Sequence, residues 1–242
     1  MAKNILLTGV SKGLGLQIAQ TLLEQGDSVY GISRSRNEDL DRLSRDFGER
    51  FHHQAADLSD PESASHSIFE ECLPLDTPIH GFVNNAALAY DDLITNLQLE
   101  PLERMFRVNV YSPMSLTRGV IRNMLLHQTE GSVVHISSIS VHTGYKGLAM
   151  YAASKGALEA FSKNTAREWG SRGIRSNCIV AGFMETEMSG SLSDDQKNRI
   201  FRRTALGRPT SLQSVAAMTA HLLSDDAKSI TGQNLIVDSG TI

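Results

Sequence analysis

Asn4-Ile5-Leu6-Leu7-Thr8-Gly9-Val10-Ser11-Lys12-Gly13-Leu14-Gly15 is an apolar run that breaks into three closely spaced glycines. Residues 4–8 read as a buried strand. Beyond the glycines, Leu14, Ile18, Leu22 and Leu23 recur at the spacing of one helix face, with Gly26 placed to end the helix. In a strand, glycine loop and helix that follow one another, a pyrophosphate can approach backbone N–H groups at the helix N-terminus, where the dipole favours an anion. A βα turn that needs glycine only for its own conformation is the plainer alternative, and the preceding strand counts against it.

Outward from this stretch, β-branched apolar runs alternate with helix-length amphipathic segments. Strands are expected at 4–8, 28–33, 51–56, 79–83, 131–137, 174–180 and 234–238, and helices near 14–25, 38–47, 61–72, 101–127, 150–169 and 211–224. That alternation implies an α/β fold in one domain over 1–242: a doubly wound parallel sheet of about seven strands with helices on both faces. No repeat, low-complexity tract or linker divides it. Residues 183–206 are too long for an ordinary αβ loop and too polar for a core helix, so they are a candidate substrate lid, the alternative being a surface excursion without function.

Composition narrows the possibilities. A formal charge of -4 over 242 residues, 40% of them hydrophobic, offers no basic surface for nucleic acid. Every apolar run is far short of the roughly 18 residues of a membrane span, and residues 1–4 lead into a strand rather than a signal peptide. Cys72 and Cys178 form neither a disulfide framework nor a metal-ligand pattern, and they read as reduced core thiols in a cytoplasmic setting. No metal site is expected: His52 and His53 are adjacent and point to opposite sides of a strand.

Tyr151 and Lys155 stand four apart in Tyr151-Ala152-Ala153-Ser154-Lys155, on one helix face. Tyrosine is a poor acid near neutral pH, with a reference pKa of about 10. A cation at about 4 Å with an effective dielectric near 20 supplies roughly 4 kcal/mol, enough to lower that value by two to three units. The expectation is therefore a tyrosine made more acidic by its lysine. Ser138 lies thirteen residues upstream of Tyr151, at the end of a β-branched run beside Ser137 and Ser140.

These motifs, in this order, resemble the short-chain dehydrogenase/reductase family over nearly the whole chain. The family's T-G-x-x-x-G-x-G is matched by Thr8, Gly9, Gly13 and Gly15, and its Ser and Tyr-x-x-x-Lys by Ser138, Tyr151 and Lys155. Asp57, Asn84-Asn85-Ala86-Ala87, Asn109 and the segment Ile230-Thr231-Gly232 before Leu235-Ile236-Val237-Asp238 fall in family order. Within the family the likeness is to 3-oxoacyl-[acyl-carrier-protein] reductases, carried by Ala181-Gly182-Phe183-Met184-Glu185-Thr186-Glu187-Met188 and Leu192-Ser193-Asp194-Asp195-Gln196.

The resemblance implies a Rossmann-type fold, an NADP-binding catalytic domain and a cytoplasmic homotetramer. It also implies the chemistry. Hydride passes from the nicotinamide to a ketone carbon, Tyr151 donates the proton, Ser138 hydrogen-bonds the carbonyl oxygen, and Lys155 acidifies Tyr151 and holds the nicotinamide ribose. Asn109 holds a relay water through its backbone carbonyl. Pro113, four residues on, has no N–H to occupy that carbonyl, although a kink with only a packing purpose is equally open.

For the cofactor, the resemblance brings Gly9, Gly13, Leu14 and Gly15 to the pyrophosphate, Asp57 to the adenine amino group, Asn84 to the neighbouring ribose and Thr186 to the carboxamide, with Leu58, Ala86 and Met184 as further contacts; Asp57 and Asn84 could also be turn residues. Charge points to NADPH. An NAD site of this fold usually carries a carboxylate about 20 residues past the glycines; here Ile32-Ser33-Arg34-Ser35-Arg36 has none, and Arg34, with Lys12 and Ser11 or Ser33, could hold a 2′-phosphate, while Arg36 reads as solvated.

Two departures bear on the substrate. Ala181-Gly182 stands where these reductases usually have Pro-Gly, which should loosen the turn. Leu126-His127-Gln128-Thr129-Glu130 lacks the basic cluster expected for docking an acyl carrier protein, leaving Arg172 and Arg175. The substrate expected is a 3-oxoacyl thioester on that carrier or on coenzyme A. A free ketone, an alcohol dehydrogenase and a non-catalytic NADPH-binding protein are the alternatives. His142 either lines the substrate cleft or is an uninvolved loop residue.

Overall fold

The computed structural model describes residues 2–186 and 193–242. Seven strands, β1 (Asn4–Thr8), β2 (Ser28–Ser33), β3 (Phe51–Ala55), β4 (Gly81–Asn84), β5 (Gly131–Ser138), β6 (Ile174–Ala181) and β7 (Asn234–Val237), form one sheet in the order β3-β2-β1-β4-β5-β6-β7. Every neighbouring pair is parallel. The order reverses between β1 and β4, so the connections leave in opposite directions and open a crevice at the carboxyl ends of the strands.

The helices are α1 (Gly13–Glu24), α2 (Glu38–Phe47), α3 (Pro61–His66), α4 (Leu99–Phe106), α5 (Ser112–Leu126), α6 (Ala149–Trp169), α7 (Asp194–Phe201) and α8 (Leu212–Leu223). Alternation along the strands divides the core in two. Ile5 and Leu7 of β1 pack with Ile18 and Leu22 of α1 and Val215 of α8, whereas Leu6 between them packs with Leu116 and Val120 of α5. The Rossmann-type fold, with helices on both faces of a seven-stranded sheet, is as the sequence implies.

The differences lie in the helices. The expected helix at 101–127 is α4 and α5 joined by a π turn, Arg107–Tyr111, in which the Ser112 N–H reaches the Arg107 carbonyl five residues back. Pro113, in the first turn of α5, cannot supply the ordinary bond to the Asn109 carbonyl, so the ladder changes register there. A second π turn, Ser67–Cys72, completes α3. Within 183–206 the polar stretch forms α7, started by a capping box in which Ser193 and Gln196 exchange hydrogen bonds. Residues 187–192 of the candidate lid, with Glu187, Met188 and Leu192 of the resemblance, lie outside the described residues.

The expected loosening at Ala181 is not found. Ala181 continues β6, buried and paired with both Ser138 and Val237, and the Gly182 N–H bonds the Val237 carbonyl at 2.9 Å. An alanine has the amide hydrogen that a proline lacks, so the strand extends through the position.

At the reversal point the Thr8 hydroxyl accepts the N–H groups of Asn85 and Ala86, both at 3.1 Å. The Asn85 carboxamide donates to the carbonyls of Thr8 and Gly9 at 3.0 and 3.2 Å. This clasp joins the ends of β1 and β4 and sets the glycine loop. Gly9 has φ 77°, and a Cβ on Gly15 would stand 1.9 Å from the Gly9 carbonyl oxygen. No helix among the described residues is long and apolar enough to cross a membrane.

Gly15→Ala should therefore push α1 off the loop and destabilise the fold by about 1–3 kcal/mol, the usual cost of overpacking. Urea unfolding of the variant beside the wild type measures it; equal midpoints at equal slopes would show that the helix does not pack against the loop as described.

Candidate active site

The site is assembled from the end of β5 and the first turns of α6. Ser138 ends β5, and its Oγ accepts two hydrogen bonds from Ser140: the backbone N–H at 3.2 Å and the hydroxyl at 3.0 Å. With its acceptor positions engaged, the Ser138 hydroxyl hydrogen is directed to another acceptor. Ser140, only a neighbouring serine in the sequence reading, is thus the residue that orients Ser138.

On α6, Lys155 is 1% exposed, and its Nζ donates to the Ile136 carbonyl at 2.8 Å, two residues before Ser138. The same Nζ lies 5.7 Å from the centre of the Tyr151 ring. The structure thus brings Ser138, Tyr151 and Lys155 to one corner of the crevice.

The electrostatics differ from expectation. Burial pushes the Tyr151 phenol above its ordinary range, and the Asp91 carboxylate, a residue not singled out in the sequence, adds to the rise. Burial lowers Lys155 to about 8. The expected acidification needs an ammonium about 4 Å from the phenolate; here the ammonium is directed to a strand carbonyl and dehydration of the phenol dominates. Tyr151 is consequently held protonated, as a proton donor needs to be before reaction.

Asn109 lies in the π turn with its side chain fully engaged. Its Oδ1 accepts the Leu88 N–H at 2.8 Å, and its Nδ2 donates to the Leu88 carbonyl at 2.9 Å and to Ser154 Oγ at 3.0 Å. It joins the segment after β4 to α6 one residue from Lys155, and Pro113 leaves its backbone carbonyl without the usual helical donor.

The nucleotide end occupies the reversal point. Gly9 and Gly13 have positive φ, α1 has no carboxylate in its first turn, and the Thr186 methyl is 3.6 Å from where a Cβ on Gly13 would be. These features leave room and dipole for a pyrophosphate against the loop, with Leu14 buried beneath. Ser11 presents its carbonyl to the Asn37 amide at 2.8 Å, and Met184 packs on the core beside the loop. Arg34 is exposed at the end of β2 and acts electrostatically on Asp57, whose carboxyl is lowered first by the Ser59 N–H. Leu58 is buried, and its carbonyl accepts the Ser112 hydroxyl at 2.7 Å. These features fit the pyrophosphate of a nicotinamide dinucleotide lying against the glycine loop.

The Asn84 side chain is buried, with neither Oδ1 nor Nδ2 partnered among the described residues, while the N–H groups of Asn85 and Ala86 reach the Thr8 hydroxyl. Arg175 is not available to a docking partner. Its guanidinium caps the carbonyls of Leu222, Ser224 and Ile230, and only Arg172 of the pair is exposed. Arg36 is engaged with Asp41 and Ser44, as a surface cation would be. His142 bonds the buried carboxylate of Glu159.

The buried lysine yields a stability prediction. Its pKa falls from 10.5 unfolded to about 8 folded, so the unfolded chain binds more protons between those values and stability rises with pH across that window. The increment is about 3 kcal/mol, fully absent below pH 8. Lys155→Met should lack it, and wild-type minus variant unfolding free energy should grow between pH 8 and 10.5. A difference that stays constant with pH would show that the ammonium is hydrated in the folded protein.

Comparison with known proteins agrees with this geometry. Residues 9–241 match a family model described as enoyl-(acyl carrier protein) reductase. The chain is 35% identical over 238 residues to the 3-oxoacyl-[acyl-carrier-protein] reductase FabG of Escherichia coli, covering 98% of this chain and 96% of that one. In fold it is similar to a Beutenbergia cavernae protein provisionally identified as an NAD(P)-dependent gluconate 5-dehydrogenase, with NADP bound at low occupancy (TM-score 0.93, 28% identity, 100% and 97% of the two chains). A second NADP-bound structure, provisionally a 2-deoxy-d-gluconate 3-dehydrogenase from Agrobacterium tumefaciens, has a TM-score of 0.90 at 26% identity over 99% and 96% of the chains. A nucleotide groove, a seven-stranded parallel sheet and a Ser-Tyr-Lys corner on one chain, together with these matches, make it an oxidoreductase that uses a nicotinamide cofactor, and the chain belongs to the short-chain dehydrogenase/reductase family.

Proposed function

We propose that this enzyme reduces the ketone of a 3-oxoacyl thioester to the hydroxyl with NADPH. The observation that carries the reading is the pair of O–H donors at one corner: Ser138, oriented by Ser140, and Tyr151, kept protonated by burial and by Asp91. Two convergent donors suit an oxygen that gains negative charge as hydride reaches its carbon. Ser138 holds that oxygen, Tyr151 gives it the proton, and Lys155 and Asn109 hold the ribose and the relay that restores the Tyr151 proton. When bound, the cofactor supplies the hydride.

The acyl thioester is favoured by the likeness to the 3-oxoacyl-[acyl-carrier-protein] reductases. Loss of Arg175 to helix capping weakens the basic surface for an acidic carrier, so a coenzyme A thioester should serve nearly as well. The second reading, a hydroxylated free ketone, is favoured by the likeness in fold to the two gluconate-named proteins. The four-copy assembly belongs to the same proposal, with exposed Leu99, Tyr111 and Leu126 along α4 and α5 as apolar surface for it; the lid role of residues 183–206 is likewise part of it.

NADPH oxidation with acetoacetyl-coenzyme A beside a set of polyhydroxy ketones separates the two substrates. The thioester should be preferred by at least tenfold in kcat/KM, and Tyr151→Phe should lose roughly 10² to 10⁴-fold in turnover while still binding NADPH. A preference for the free ketones would replace the first reading by the second; retention of a tenth of the activity in the variant would remove Tyr151 as proton donor.

Arg34 sets the cofactor. A charge-assisted bond to a 2′-phosphate is worth roughly 1.5–3 kcal/mol, so the wild type should prefer NADPH by at least tenfold, and Arg34→Asp should turn the preference to NADH by repulsion as well as by loss. Comparable kcat/KM values for the two cofactors in the wild type would overturn this.

A further inference from the structure

The carboxylate of Glu159 is almost wholly buried on α6, one helical turn beyond Lys155, and it gathers three partners from three other parts of the chain. The Ser137 hydroxyl, at the end of β5, donates to Oε1 at 2.5 Å. The Asn234 amide, at the start of β7, donates to Oε2 at 2.7 Å. The His142 Nε2 lies 3.1 Å from Oε1 and 3.0 Å from Oε2.

What matters is where two of these partners stand. Ser137 and His142 flank residues 138–141, the segment within which Ser140 supplies both of its hydrogen bonds to Ser138 Oγ. One buried anion thus grips the strand immediately before Ser138 and the turn immediately after Ser140. A carboxylate accepts from all three donors at once, because it has lone pairs on both oxygens and no hydrogen. A carboxamide of the same shape has to turn an NH2 toward at least one of those donors. A buried charge without a structural return is unfavourable, and this one is placed where its hydrogen bonds restrain a single short segment.

We propose that Glu159 is a positioning residue for the substrate-holding serine: through Ser137 and His142 it fixes the 138–141 turn, so that the Ser138 hydroxyl is aimed at the ketone oxygen before substrate arrives. This rests on the assignment of Ser138 to that oxygen. Glu159 touches neither substrate nor cofactor. Its effect belongs in the transition state, where the hydrogen bond to the developing oxyanion is strongest, and not in cofactor affinity.

The test is a double-mutant cycle on Glu159→Gln and Ser138→Ala, read as kcat with the best ketone substrate and as NADPH affinity by fluorescence. Glu159→Gln should lower kcat by about ten- to thirtyfold with NADPH affinity within twofold of wild type. Glu159→Asp, which keeps the charge, should recover part of the loss. In the Ser138→Ala background, Glu159→Gln should cost less than threefold, because the group it aims is already gone. His142→Ala, a smaller change at the exposed end of the network, should show the same dependence on Ser138 and covers the case in which Glu159→Gln fails to fold. If Ser138→Ala itself keeps more than a tenth of the activity, the assignment of the serine is wrong. If Ser138→Ala is crippled but Glu159→Gln and His142→Ala cost the same factor with and without Ser138, Glu159 is a fold-stabilising residue only and the proposal is overturned.

Discussion

A lysine ammonium sealed inside the protein organises the catalytic corner. Lys155 has lost its water and receives one strand carbonyl, that of Ile136, in exchange. A single neutral acceptor does not replace full hydration, so the cation is destabilised and its pKa falls to about 8. The same dehydration acts on Tyr151 in the opposite sense. One environment therefore drives apart the proton affinities of an amine and a phenol that are nearly equal in water: the phenol keeps its proton and the ammonium gives its own up more readily. Such a site can only be carried on rigid elements, and both residues are on the longest helix, α6, packed against the two longest strands, β5 and β6.

Much of this was legible because it depends on periodicity and order. The central strands carry apolar runs, Ile5-Leu6-Leu7 in β1 and Cys178-Ile179-Val180-Ala181 in β6, as strands covered on both faces have to, and Leu14, Ile18 and Leu22 repeat at helical spacing. The family motifs add residue order, which located Ser138, Tyr151 and Lys155 before any geometry was known. The π turn around Asn109 was half legible: Pro113 announced a missing bond, but the widening of the ladder that follows depends on how α4 and α5 pack. The helix α7 was missed because periodicity reports burial, and a helix lying on the surface writes no apolar stripe; its capping box, Ser193 with Gln196, was the signal available.

The residues misread share another cause. Arg175 looks like surface charge in the sequence, yet three carbonyls at the ends of distant elements converge on it. Glu159 and Ser140 carry no motif at all. Ser140 meets Ser138 two residues away through a local turn that no motif announces, whereas the partners of Glu159, at 17, 22 and 75 residues, are brought to it by the fold and cannot be read from spacing. The pKa of Tyr151 failed for an energetic reason: the attraction of a neighbouring charge can be estimated from a distance, whereas the cost of dehydration requires knowing how much water remains.

The clasp between Thr8 and Asn85 has a consequence for the order in which the chain matures. Its partners are 77 residues apart, with β2, α2, β3 and α3 between them. Loop closure of that length is made late, after the local β1–α1–β2 unit has formed. A chain emerging from the ribosome with three strands complete therefore has its glycines but not the wall that shapes them. The nucleotide cannot rescue such an intermediate, because it stabilises only conformations that can bind it. It acts instead as a seal on the finished sheet, so dinucleotide affinity recovered during refolding is a report that β4 has docked.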